Sequence, residues 1–185
     1  MKPIKNSAGF TLIEMLVVVA IVGTIATLSI ANFRIGEKQK RSVTASDVVT
    51  SALRFTQNNT LTSKQITGSS CVQGKTPQAY VLTFFGSATV ASMYAIDKCG
   101  TANLIETYPL PPGTAISNYK IDNVTVANLQ VEFTAPFAGV TASSNAVVNT
   151  GPFNSFTTAT VTVGLTDGTL PRIVTVDGVA GRIGE

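Results

Sequence analysis

Histidine is absent from all 185 residues. Without it there is no imidazole base, no histidine-containing triad and no histidine-ligated metal. Cysteine is nearly absent as well: Cys71 and Cys99 are the only two, and two thiols with no histidine make a poor zinc site. No phosphate-cradling loop is found, because Gly181-Arg182-Ile183-Gly184 has neither the spacing nor the Lys-Ser/Thr ending of a Walker motif. The carboxylates Asp97, Asp122, Asp167 and Asp177 lack calcium-loop spacing. Glycine follows Asp167 and Asp177, which is the signature of a turn. Serines and lysines are plentiful, yet no motif singles out a nucleophile and its base. The expectation is a chain that is not an enzyme, with no catalytic residue, no metal and no cofactor.

Charge is also scarce. Charged residues make up 12% of the chain against 44% hydrophobic, and the formal charge of +3 includes Lys2 and Lys5 at the very start. The sequence pI of about 9.0 is thus a weak pointer to a polyanionic partner. After Lys120 the only cations are Arg172 and Arg182, and Glu185 offsets one of them. Binding to a nucleic-acid backbone needs several phosphate contacts, so direct nucleic-acid binding is not expected.

What the sequence does have is a long apolar run. Phe10 to Phe33 holds 24 residues and one charge, Glu14. At about 1.5 Å per residue a helix of that length reaches roughly 36 Å, enough for a bilayer core of about 30 Å. Lys2 and Lys5 would hold its start on the cytoplasmic side. A secretory signal peptide is cut after its apolar part, at a small-residue site; here Arg34-Ile35-Gly36-Glu37-Lys38 follows instead, so the run is expected to stay on the mature chain. A carboxylate inside such a run is costly and calls for a partner or a function. The alternative is a carboxylate in a first helical turn at the membrane interface, favoured by the helix dipole.

The stretch Gly9-Phe10-Thr11-Leu12-Ile13-Glu14, behind a short basic leader and ahead of a long apolar helix, resembles the class III signal of type IV pilins and pseudopilins. The resemblance covers about the first 35 residues. It implies cleavage after Gly9 by a prepilin peptidase, N-methylation of the new terminal Phe10, and use of Glu14 in assembly, where it neutralises the terminal amine of a neighbouring subunit. It further implies an inner-membrane, single-pass protein with its head in the periplasm, an assembly platform in that membrane, and other pilins or pseudopilins as filament partners. One departure concerns Gly23: eight residues later, where major pilins often have proline, this chain has Ala31. Proline costs a helix interior about 3 kcal/mol, so its absence favours a continuous helix and a pseudopilin or minor pilin.

Beyond the anchor, Gly36 to Arg41 is a charged, solvated stretch. Ala45, Val48, Val49, Ala52, Leu53 and Thr56 then recur at steps of three and four, a helix with one face to cover, ending between Asn58 and Ser63. The rest reads as strands at Gln78–Phe85, Ala88–Ile96, Leu104–Thr107, Ala115–Ile121, Asn128–Thr134, Thr157–Leu165, Ile173–Val176 and Val179–Ile183. Gly139 to Phe153 lacks periodicity and reads as a long loop. Asp167-Gly168 and Asp177-Gly178 are turn signals. No internal repeat is present. The expected division is a leader (1–9), a membrane and assembly helix (10–34), its amphipathic continuation (35–63) and a β-rich head (64–185). That is an α+β fold, with a long N-terminal helix packed on antiparallel sheet. In an oxidising compartment Cys71 and Cys99 pair; the alternative is two buried free thiols.

The order of elements, with Val131-Glu132-Phe133, Thr160-Val161-Thr162-Val163 and Val174-Thr175-Val176-Asp177-Gly178, resembles the GspH/FimT family of pseudopilins and minor pilins. That resemblance implies a β-sandwich-like head and a minor, H-type pseudopilin of type II secretion, or alternatively a minor pilin of a type IV pilus.

Overall fold

The computed structural model describes residues 10–66, 71, 76–86, 88–135, 139–148 and 152–185, leaving aside the side chains of 28–32. Its first element is a helix, α1 (Leu12–Leu61). Two compact units are distinguished, one before Gln39 and one from Gln39 to Glu185.

In the second unit, α1 is amphipathic for a visible reason. Ser42, Ala45, Ser46, Val49, Ala52, Leu53, Thr56 and Thr60 are buried at three- and four-residue steps, while Lys40, Asp47 and Arg54 face water. The buried hydroxyls bond back along the helix, Thr56 Oγ1 to the Ala52 carbonyl at 2.7 Å and Thr60 Oγ1 to that of Thr56 at 3.0 Å. Small side chains with self-satisfied hydroxyls let the helix lie close to the sheets without stranded polar groups. The helix ends where Ser63 takes a left-handed φ of 48° and Lys64 N–H returns to the Asn59 carbonyl at 3.2 Å.

Ten strands follow: β1 (Ala79–Phe85), β2 (Val90–Ile96), β3 (Ala102–Pro109), β4 (Thr114–Ile121), β5 (Val124–Val126), β6 (Asn128–Thr134), β7 (Gly139–Ser143), β8 (Thr158–Leu165), β9 (Arg172–Asp177) and β10 (Ile183–Gly184). They form two five-stranded antiparallel sheets, in the orders β3-β2-β1-β6-β7 and β10-β9-β8-β4-β5. Alternate residues of both sheets, among them Leu82, Phe84, Val131, Phe133, Val161 and Val174, join Val49 and Leu53 of α1 in one fully buried cluster. The fold is α+β, helix against paired antiparallel sheets. Tyr119 closes the core: its ring lies 6.2 Å from that of Phe84, and its hydroxyl donates to the Gly86 carbonyl at 2.6 Å. Burial pushes this phenol up to about 12.

Three expectations need correction. Gly139–Phe153 is not all loop, since β7 pairs with β6 and Ala142 bridges Asn154; its Ala and Ser side chains give too little apolar contrast to show a period of two. A strand was not expected at 124–126, yet Asp122 and Asn123, both at left-handed φ (47° and 69°), form a two-residue hairpin turn that feeds β5. The closing strand is only Ile183–Gly184 rather than Val179–Ile183. There Asp177 Oδ1 accepts the amides of Val179 (2.9 Å) and Ala180 (2.8 Å), and the chain turns, leaving Val179 83% exposed.

Gly178 and Gly168 separate two kinds of constraint. A Cβ on Gly178 would stand 2.1 Å from the Phe156 carbonyl oxygen, whereas one on Gly168 meets nothing but inherits a φ of +78°. Alanine at Gly178 is expected to cost about 2 kcal/mol or more through forced backbone displacement, and alanine at Gly168 about 1 kcal/mol. Urea unfolding of the full chain in detergent measures both, and the reverse order would contradict the close approach at Gly178.

Candidate functional site

The N-terminal part of α1 is the exposed feature with the least ordinary chemistry. Its first turn is set by Thr11, whose hydroxyl accepts the Glu14 amide at 3.3 Å while its carbonyl accepts that of Met15 at 3.2 Å. Thr11 is thus the N-cap and Glu14 the third helical residue, the Thr-x-x-Glu spacing of a capping box. From there the helix is apolar all round. Phe10, Leu12, Ile13, Met15, Leu16 and Val19 are each 59% or more exposed, and Val17 and Val18, on further faces, are each 48% exposed. A helix apolar on every side is one that something else buries. The hydroxyls of Thr24 and Thr27 need no outside partner: Thr24 Oγ1 donates to the Ile21 carbonyl and Thr27 Oγ1 to that of Thr24, both at 2.8 Å. Glu14 is then the one ionisable group between Phe10 and Phe33, at the helix end where the dipole favours an anion.

Among the described residues no helix is long and apolar enough to cross a membrane; the side chains of 28–32, inside the apolar run, are not among them. Phe10 is the first described residue; Gly9, the expected cleavage position, and Lys2 and Lys5 lie outside the described residues. Helix α1 runs without a break through Gly23 and Ala31.

The family described as the prokaryotic N-terminal methylation motif matches residues 4–30. The chain carries a prepilin-type N-terminal motif, which supports a type IV pilin-like protein. The match covers the segment built around Phe10 and Glu14 and none of the head. No curated protein matches the chain, and no solved structure does.

Within the second unit, Cys99 is joined to Cys71, their Cα atoms 5.8 Å apart. A crosslink closing a loop of this size stabilises the fold by about 3.5 kcal/mol in the chain-entropy picture. Asp97, buried, shapes the cysteine turn: its Oδ1 accepts the amides of Cys99 (3.0 Å) and Thr101 (2.9 Å), and its Oδ2 the Asn103 amide group at 3.3 Å. Asp97 stands beside both sulfurs, but sulfurs bonded to each other have no thiolate to offer a metal. The other acids considered for calcium serve backbone turns. Asp122 Oδ1 accepts the amides of Thr157 (2.7 Å) and Thr158 (2.9 Å), and Asp167 Oδ1 that of Thr169 at 3.0 Å. Asp177 does the same, and the Ala180 and Val179 amides hold its carboxyl below the usual range. Arg172 is paired with Glu185 at 2.8 Å.

Two functional contributions were not read from the sequence, the Thr11 cap and the Asp97 turn. The first had a signal, Thr11-x-x-Glu14; the second, Asp97-x-Cys99, is too short to stand out. The cap predicts that Thr11→Ala frays the first turn by about 1 kcal/mol, whereas Glu14→Gln leaves it folded because the donor is the backbone amide. Cα chemical shifts of residues 11–15 in micelles check this; equal fraying in both variants would mean that the carboxylate, not Thr11, holds the turn.

Proposed function

We propose that this chain is a structural subunit of a pseudopilus, a minor H-type pseudopilin of type II secretion, built into its filament through α1. The observation that carries the reading is a helix apolar on all sides with a single carboxylate in its first turn, inside a matched N-terminal methylation motif. The apolar surface is first covered by the inner membrane and then by the same helix of neighbouring subunits. A prepilin peptidase cuts between Gly9 and Phe10, and the new Phe10 amine is methylated. That removes Lys2 and Lys5 and leaves a formal charge of about +1. In the filament, Glu14 meets the Phe10 ammonium of a neighbour, which offsets the cost of burying a lone charge. The uninterrupted helix at Ala31 and the head of helix plus two antiparallel sheets support an H-type pseudopilin with a periplasmic head.

Two measurements test this. Intact mass of the membrane-extracted protein is expected to start at a methylated Phe10; a chain that retains Lys2 and Lys5 would sink the processing. Deletion of the gene is expected to trap secreted enzymes in the periplasm while twitching and transformation persist. Loss of twitching or DNA uptake with intact secretion would assign the subunit to a type IV pilus as a minor pilin instead.

A further inference from the structure

The two sheets have four edges, β3, β7, β10 and β5. Three are short or covered: β5 has three residues, β10 two, and β7 is bridged by Asn154, whose amide and carbonyl bond those of Ala142 at 3.0 Å. The fourth is not short, and among the described residues no strand or bridge covers it. Strand β3 has eight residues, with Leu104 55% and Ile105 38% exposed. An open edge of that length presents unpaired amides and carbonyls to any extended chain.

What lies beside this edge gives it selectivity. Glu106 stands opposite Met93 and Tyr108 opposite Ala91. Met93 and Ala91 belong to the core, so Glu106 and Tyr108 face the helix side of the sheet. There they line a groove with Ser51 and Phe55 of α1, and Phe55 is 40% exposed. A strand added to β3 would lay alternate side chains across this groove. Its chemistry is a carboxylate and two aromatic rings lining one groove. The Tyr108 hydroxyl donates to Glu106 Oε2 at 3.0 Å, and among the described residues no lysine or arginine forms an ion pair with Glu106. The Phe55 ring already attracts an ammonium, with Lys64 Nζ 5.7 Å from its centre. Aromatic faces beside a carboxylate favour a cationic side chain, through both cation–π attraction and charge.

We propose that β3 is a strand-addition site for a segment of a different protein, one carrying a lysine or arginine that seats between Phe55, Tyr108 and Glu106. A second copy of this chain does not fit the same site by edge pairing. Its edge strands β3, β5, β7 and β10 contain no cation, so pairing with any of them would cover Glu106 without a partner. Glu106 thereby rejects self-association along the edge while it admits a cationic segment. Main-chain bonds to β3 supply affinity and the groove supplies the choice of side chain. This surface lies in the head and does not depend on the N-terminal motif.

The test places a photo-crosslinking benzoylphenylalanine at Ile105 of the full-length chain in its native cells, with Thr125 on β5 as the control position. The expected product joins Ile105 to one extended segment of another protein, within a few residues of a lysine or arginine, and its yield falls about tenfold with Glu106→Lys. Glu106→Gln, which keeps the shape, is expected to lower the yield in the same direction. Retention of the Cys71–Cys99 bond and of the unfolding midpoint shows that both variants fold. A crosslink to a second copy, a crosslink indifferent to both Glu106 variants, a partner segment without a cation, or no product above the Thr125 control would each overturn the proposal.

Discussion

Everything in this molecule turns on a helix whose first part has no hydrophilic side. Along a soluble helix, polar residues mark the face that meets water. In α1 that mark is missing until the charged stretch from Arg34 to Arg41, so the preceding residues are stable only where water is excluded. Each large side chain left in water forgoes roughly 1.5–3 kcal/mol of burial. Summed over the exposed residues from Phe10 to Ile25, that is more than a small domain's entire stability. A membrane and a bundle of like helices are both solvents that answer this demand, and Glu14 distinguishes them. In lipid the carboxylate is a liability; in the proposed filament of like helices, each starting at a cleaved Phe10 amine, it would have a partner.

The same helix, past Gln39, changes character and becomes part of the head core. There polar residues of the helix, Ser42 and Ser46 on its buried side and Arg54 and Gln57 nearer solvent, tie it to the far end of the chain. Ser42 Oγ donates to the Leu170 carbonyl at 2.7 Å and Ser46 Oγ to Glu185 Oε1 at 2.8 Å. Arg54 and Gln57 donate to the carbonyls of Ile183 (3.3 Å) and Gly181 (2.9 Å). Arg172 and Ser46 together hold the Glu185 carboxyl below the usual range. The four contacts from α1 each span more than a hundred residues of sequence, and they fasten the C-terminal segment along the helix on which the head is built.

The legible parts were those with strong local periodicity. The α1 stripe at Ala45, Val49, Ala52 and Leu53 and the alternation of β6 could be read directly, because in each the apolar residues lie on one face only. Asp167-Gly168 announced its turn through a glycine that supplies the left-handed φ. Strand β7 could not be read, since Gly139, Ala142 and Ser143 are too small to separate inside from outside. Val179 was misassigned to a strand because its β-branched side chain suggested one, while Asp177 captured the next two amides for a turn. The ties from Ser46, Arg54 and Gln57 to the C-terminal segment had no local signature at all. The N-terminal motif was legible because it is compressed into six consecutive residues, although the capping part of Thr11 went unread.

Glu14 has two candidate duties, a role in the first turn of its own helix and a charge partner for a neighbour, and they predict different atoms near its carboxyl carbon. Solid-state NMR on filaments assembled from a mixture of 13C-labelled and 15N-labelled chains separates them. A cross-peak between the Glu14 carboxyl carbon of one chain and the Phe10 amine nitrogen of another, at a separation of about 4 Å, is the result this account predicts. Its absence, with the Glu14 carboxyl found only beside the Thr11 amide of its own chain, would contradict it.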